Sequence, residues 1–171
     1  MTNKNSNVKQ VVILAGGKGT RMREMTETLP KPMVTIGGIP VIEHLMNIFN
    51  FYGTFEYIIC GGYKNENILQ HFDGFDNVKV INTGENTNTG ERVLKVESCL
   101  DENFIVTYGD GLANVNIRKL INFHKSHNNI GTISVANPTS RFGLLEFDEN
   151  NCVTNFIEKP KLIFFLLIFA A

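Results

Sequence analysis

Three short segments place charged side chains where the backbone is unusually bare or unusually stiff. The first is Leu14-Ala-Gly-Gly-Lys-Gly-Thr-Arg21. Glycine leaves no Cβ between backbone and ligand, so the N–H groups around Gly16, Gly17 and Gly19 can form an anion-binding nest. Lys18, Arg21 and Arg23 add positive charge where a triphosphate would need it. The second, Leu29-Pro-Lys-Pro-Met33, holds Lys31 between two prolines. Each proline fixes its own φ and biases the residue before it toward extended backbone, so the direction of the lysine is set. The third, Tyr108-Gly-Asp-Gly111, sets Asp110 between glycines. A carboxylate at a strand end suits Mg²⁺, which takes one or two carboxylates and completes its shell with water and phosphate oxygens. Each segment alone also reads as structure: a tight turn with solvated basic residues, a surface lysine, an aspartate making a turn. The spacing excludes two commoner motifs. Gly17-Lys-Gly-Thr20 lacks the Gly-Lys-Ser/Thr ending of a P-loop, and Gly17-x-Gly19-x-x-Met22 lacks the third glycine of the dinucleotide fingerprint.

Regular elements must hold these segments. Val8–Ala15 ends in a continuous apolar run, as in a strand buried on both faces. Strands are also expected over Phe55–Cys60, Val78–Ile81, Phe104–Tyr108 and Ile130–Ala136. Helices are expected over 40–52, Glu66–Phe72, Arg92–Leu100 and from an Asn116 cap to about His127. Gly143–Phe147 and Val153–Ile157 flank Asp148-Glu-Asn-Asn151, a hairpin signal. Alternating strands and helices mean an α/β fold: a Rossmann-like, mainly parallel sheet with helices on both faces, plus a C-terminal β-hairpin. The glycine loop and Asp110 then fall beyond the carboxyl ends of strands, where open parallel sheets bind ligands. His44, His71, His124 and His127 all fall on expected helices and read as packing or surface residues.

Composition narrows the function. The 171 residues are 43% apolar and 19% charged, with a formal net charge of -1, so neither nucleic acid nor an anionic membrane is attracted globally. Cys60, Cys99 and Cys152 have no metal-ligand or redox spacing, and Met1–Gln10 has no secretory signal, which reads as a cytoplasmic protein with reduced thiols. The domain expectation is a disordered leader at 1–7, one domain at 8–161 and an atypical tail at 162–171. That tail, Leu162 to Ala171, is wholly apolar. It is too short to cross a bilayer as a helix, which needs roughly 20 residues. It reads as a buried strand whose partners lie in missing sequence, at the end of a C-terminally truncated or misread chain.

Together these residues resemble the sugar-phosphate nucleotidyltransferase family. Its opening pattern stands here as Leu14–Arg21 and Pro30–Met33. The match continues through Ile36-Gly-Gly-x-Pro40, Thr89-Gly90-x-Arg92, Tyr108-Gly-Asp-Gly111, Arg141-Phe-Gly143 and Glu158-Lys-Pro160. Thr107–Gly111 and the Thr-Gly-x-Arg element are most similar to the glucose-1-phosphate cytidylyltransferase branch, although the stretch from Phe72 to Thr83 is shorter than in that branch. The resemblance implies nucleotide contacts from Leu14, Ala15, Gly16, Gly17, Lys18, Gly19, Thr20, Arg21, Thr87, Arg92 and Gly109. It implies that Asp110 binds Mg²⁺, that Lys31 bridges the phosphates of both substrates, and that Glu158 and Lys159 face the sugar phosphate. Lys31, Arg21 and Asp110 would be the catalytic set. The implied substrates are a nucleoside triphosphate, CTP, and a sugar 1-phosphate, glucose 1-phosphate, handled by a homo-oligomer when the chain is full length. Two other readings stay open: a nucleotide-binding fragment without turnover, and a non-functional fragment that associates through an exposed sheet edge. A dinucleotide oxidoreductase fits poorly, since its fingerprint fails.

Overall fold

In the computed structural model, the run Gln-Val-Val-Ile-Leu forms strand β1 (Gln10–Leu14), buried at every residue. The structure describes residues 8–19, 28–127, 129–136, 139–160 and 164–170. The expected leader at 1–7 and the loop residues Thr20, Arg21, Met22 and Arg23 lie outside these. The described residues divide into two compact units. One runs up to Thr132 and takes in the chain again from Ile168; the other is Ile133–Leu167.

The first unit is built on four parallel strands: β1, then, after the two short strands described below, β4 (Glu56–Gly61), β5 (Val78–Asn82) and β6 (Phe104–Tyr108). Their spatial order is β5-β4-β1-β6. Leu14 lies opposite Cys60 on one side of β1 and opposite Tyr108 on the other. Successive strands thus build outward from β1 in one direction, and the chain then returns to add β6 on the opposite side. That reversal opens a crevice at the carboxyl ends of β1 and β6.

The complete burial of β1 follows from cover on both faces. Side chains alternate along a strand, so Tyr57 and Ile58 point to opposite sides. On the face of Tyr57 lies helix α1 (Val41–Asn50), which buries Ile42, Leu45, Met46 and Phe49. The Tyr57 hydroxyl donates to Met46 O at 3.0 Å and to Asn50 Oδ1 at 2.7 Å, pinning that helix to the sheet. On the other face Val12, Leu14, Ile58, Cys60 and Val106 pack with Val96, just beyond helix α3. Helix α2 (Asn65–His71) precedes β5, α3 spans Thr89–Lys95, and α4 spans Ile117–Lys125.

Most boundaries match the periodicity, and the differences have local causes. The helix expected over Arg92–Leu100 starts at Thr89, because Asn88 caps it by accepting from Glu91 N at 2.9 Å. It ends at Lys95, and Glu97–Cys99 forms a separate 3₁₀ turn. Asn116 caps α4 as expected, accepting from Lys119 N at 3.0 Å. An additional hairpin joins β2 (Thr35–Ile36) to β3 (Ile39–Pro40) through Gly37 (φ 61°) and Gly38 (φ 83°). Two consecutive left-handed residues are what a tight two-residue hairpin turn requires, so the Gly-Gly pair has a conformational role.

The second unit contains β7, whose strand spans Thr132–Ala136, and the antiparallel pair β8 (Leu144–Phe147) and β9 (Val153–Ile157). Asp148 shapes the connecting turn, its Oδ1 accepting from Asn150 N and Cys152 N, both at 2.9 Å. The apolar tail forms β10 (Phe164–Ala170). Its expected strand character holds, but its partner is in hand: Phe169 and Ala170 pair antiparallel with Val106 and Ile105 of β6. Among the described residues no helix is long and apolar enough to cross a membrane.

Candidate functional site

The crevice at the ends of β1 and β6 is a cavity of about 510 Å³. One wall is the end of β1 and the backbone after it: Leu14, Ala15, Gly16, Gly17 and Gly19. A second is Lys31 and Pro32 with Tyr108 and Asp110; a third is Glu85, Thr87, Asn88, Thr89 and Arg92, from the segment after β5 and the start of α3. The three segments singled out from the sequence therefore converge on one space.

Ladder bonds continue beyond the strands and hold the first wall, with Ala15 N donating to Cys60 O at 3.0 Å and Gly109 N to Leu14 O at 2.9 Å. A Cβ on Gly17 would meet nothing within 4 Å, so packing makes no demand for glycine there. Close approach of a ligand to the backbone would. Gly19 sits at φ 60°, a conformation that glycine adopts without strain. Lys18 extends from this loop to the far wall, where its amine meets Glu85 Oε1 at 2.6 Å. That hydrogen bond raises the Lys18 pKa.

On the second wall Lys31 pairs with Asp110, and both side chains are about one-third exposed, at 37% and 35%. The expectation of extended backbone at Lys31 does not hold. Pro30 is extended, at φ −67° and ψ 145°, but Lys31-Pro32-Met33 is a 3₁₀ turn. Pro32 is tolerated there because the N–H it lacks would be unpaired at a helix start in any case. Gly109 is the counterpart of that turn. A Cβ on it would lie 2.9 Å from Pro32 Cγ and 3.4 Å from Ile13 Cγ2. Its bare backbone thus lets Pro32 seat against the end of β6, which brings Lys31 and Asp110 together. Gly109 was expected beside a nucleotide; what it touches here is Pro32, and it does not line the cavity.

Arg92 is buried, with 5% of its surface exposed. Its Nη1 donates to Gly61 O at 3.0 Å and Thr83 Oγ1 at 2.6 Å, and its Nη2 to Gly16 O at 3.1 Å and Glu85 O at 3.2 Å. Burial lowers its pKa from that of a free guanidinium. Thr87 is also engaged, its hydroxyl donating to Thr83 O at 2.6 Å and accepting from Lys95 Nζ at 3.0 Å. Glu158 and Lys159 belong to the second unit, where they are exposed and face each other at 3.7 Å. Thr20 and Arg21 lie outside the described residues. The sequence reading missed Pro32, Tyr108, Glu85, Asn88 and Thr89 as lining residues. The polar, glycine-flanked run Gly84-Glu-Asn-Thr-Asn-Thr-Gly90 directly after a strand was the available signal.

Fold and cavity together define an α/β protein with a glycine-backed cavity at the switch point of a parallel sheet. The family model described as nucleotidyl transferase matches residues 10–163, and the chain belongs to this family. It is 37% identical over 179 residues to the glucose-1-phosphate cytidylyltransferase of Salmonella typhi, covering 89% of this chain and 69% of that protein. It is 35% identical over 175 residues to the probable glucose-1-phosphate cytidylyltransferase of Bacillus subtilis, covering 88% and 68%. Among solved structures, HddC from Yersinia pseudotuberculosis superposes with a TM-score of 0.70 at 27% identity, covering 95% of this chain and 76% of that one. By family, then, the chain is a sugar-1-phosphate nucleotidyltransferase.

Proposed function

We propose that the chain joins CTP to glucose 1-phosphate, giving CDP-glucose and pyrophosphate. The observation that carries nucleotidyl transfer is the Lys31–Asp110 pair standing in one cavity with the bare backbone of Gly16, Gly17 and Gly19. Cytosine and glucose are supported by the names of the Salmonella and Bacillus relatives, and by the Thr89-Gly90-x-Arg92 and Thr107–Gly111 elements.

An oxygen of the sugar phosphate attacks the α-phosphorus of the nucleotide. The new P–O bond forms as the bond to the bridging oxygen breaks, and pyrophosphate leaves in line with the electron pair. Two anions must meet, so the work of the protein is alignment and charge neutralisation rather than covalent catalysis. The glycine-loop N–H groups and Lys18 hold the triphosphate. Lys31, exchanging Asp110 for phosphate, stabilises charge at the α-phosphate, and Arg21 takes the leaving pyrophosphate. Thr87 is the residue for the nucleoside.

Asp110 is the residue for Mg²⁺. Among the described residues no group of three or more His, Cys, Asp or Glu side chains could hold a metal ion. A lone carboxylate beside a phosphate cavity suits an ion that keeps water and phosphate oxygens as its other ligands. When bound, Mg²⁺ supplies charge that screens the repulsion between the two phosphates. The reading includes a homo-oligomer in the cytoplasm.

Pyrophosphate release with glucose 1-phosphate and CTP, UTP, dTTP or GTP in turn is the test. A site that hydrogen-bonds one base edge should favour CTP by roughly 10⁴-fold in kcat/KM. Preference for dTTP or GTP overturns the cytidine assignment and leaves the family intact. Nucleotide binding without pyrophosphate release, with Mg²⁺ present, identifies a binding chain without turnover.

A further inference from the structure

We propose that Arg92 is a positioning residue, which sets the shape of the nucleotide cavity by tying three segments of its walls together. The functional half of this inference rests on the nucleotide reading above. Its structural half does not.

A guanidinium carries five N–H donors. In Arg92 the four on Nη1 and Nη2 are matched by four protein acceptors, Gly61 O, Thr83 Oγ1, Gly16 O and Glu85 O. These acceptors belong to the loop after β1, the end of β4 and the segment after β5, which are brought together only by the parallel order of the sheet. The terminal N–H groups are therefore spent before any ligand arrives. To bind a phosphate or a base edge, Arg92 would have to give up bonds inside a buried site; Gly61 O and Gly16 O would keep their bonds from Thr83 N and Tyr63 N, so what is lost is the link between the segments.

The neighbouring glycines are cut to fit this arrangement. A Cβ on Gly16 would overlap the Arg92 guanidinium itself. A Cβ on Gly62 would lie 2.7 Å from both Gly16 O and Gly84 O and 2.8 Å from Arg92 Nη1. Gly62 does not line the cavity. Its lack of a side chain instead lets the backbones on either side of the cavity approach one cation. Lys95 reinforces one of those sides, donating to Thr83 O at 2.9 Å. The bonds from Arg92 to Gly16 and Glu85 fix the distance between the phosphate loop and the wall facing it. That distance is what a ligand spanning both must match.

The test compares wild type, Arg92→Lys and Gly62→Ala by thermal melting, by CTP affinity measured far below the melting temperature, and by amide exchange at Gly16–Gly19 and Gly84–Thr87. Lysine keeps the charge but cannot reach four acceptors. Both variants should melt lower, exchange those amides faster, and bind CTP about tenfold or more weakly, since loop geometry is lost. Normal melting and normal exchange in Arg92→Lys, with weakened CTP, would make Arg92 a direct ligand and overturn the proposal. So would wild-type CTP affinity in the folded Gly62→Ala protein, or in a destabilised Arg92→Lys. If wild type itself binds none of the four nucleotides, the function reading fails first. The exchange measurement still decides whether Arg92 holds the loops.

Discussion

Two cations on the cavity walls are held in opposite ways. Arg92 is 5% exposed and bonded to neutral backbone and hydroxyl oxygens, whereas the Lys31 side chain is 37% exposed and bonded to one carboxylate. A buried guanidinium on several acceptors is costly to disturb, because a charge already taken out of water would lose the bonds that compensate it. A partly exposed ammonium on a carboxylate exchanges partners cheaply, since water compensates both groups and the pair contributes little to stability. The first arrangement suits a fixed scaffold and the second suits a ligand site. Similar charges in one cavity are thus fixed or left exchangeable by burial and by the kind of acceptor.

The largest expected break in this comparison is at the exchangeable pair. Asp110→Asn should lower Mg²⁺-dependent turnover by about 100–1000-fold, the scale for losing one preorganised electrostatic contact. Lys31→Ala should lower it comparably, and melting temperatures should stay near wild type in both. Normal turnover in Asp110→Asn removes that carboxylate from the mechanism, and a loss confined to melting in Lys31→Ala makes the lysine structural. At the scaffold the order reverses. Arg92→Ala should cost on the order of 3 kcal/mol or more of stability in urea unfolding, and a loss near zero would put Arg92 in the class of Lys31.

A smaller effect should appear at His124, another buried and satisfied group. Its Nδ1 lies 3.0 Å from Thr132 Oγ1, which also lies 2.9 Å from His127 Nε2. Asn129 N donates to His127 Nδ1 at 3.2 Å. In the neutral ring His127 Nε2 then carries the proton, which leaves the Thr132 hydroxyl to donate to a neutral His124. Burial, and next the nearby His127, lower the His124 pKa below its ordinary 6.5. The unfolded chain therefore takes up the proton first as pH falls. Stability is fully present above about pH 6.5 and declines below it until the folded pKa is passed. Wild type should lose a few degrees of melting temperature between about pH 7.5 and 5.5, and His124→Gln should lose less. An equal loss in both would place the titration elsewhere. The smallest effect belongs to the exposed Lys18–Glu85 pair: Glu85→Gln should leave melting unchanged and alter only the salt dependence of nucleotide KM.

The local signals were strong where one segment answers to one rule. Continuous apolar runs marked β1, β4 and β6, Asn116 marked the start of α4, and Asp148–Asn151 marked the β8–β9 turn, because period, capping and turn chemistry are all encoded within a few residues. The glycine loop, Lys31 and Asp110 were also legible as candidates, although the 3₁₀ turn that carries Lys31 was not. The β2–β3 hairpin escaped notice because two-residue strands leave no period to detect. The start of α3 was misplaced because the capping role of Asn88 was hidden among similar polar residues.

What the sequence alone determined, then, was which residues were candidates: a bare glycine loop, a lysine between prolines and a carboxylate between glycines, each on its own short segment. Which of them share a cavity was decided by the strand order, which sets the ends of β1 and β6 side by side although Leu14 and Tyr108 are far apart in the chain. The role of Arg92 was decided there too. Its residue type permits either a ligand or a clamp, and only tertiary structure brings Gly16 O, Gly61 O and Glu85 O within reach of one guanidinium. Hydrogen bonding is local in space and indifferent to distance along the chain, so no spacing of residues could have announced it.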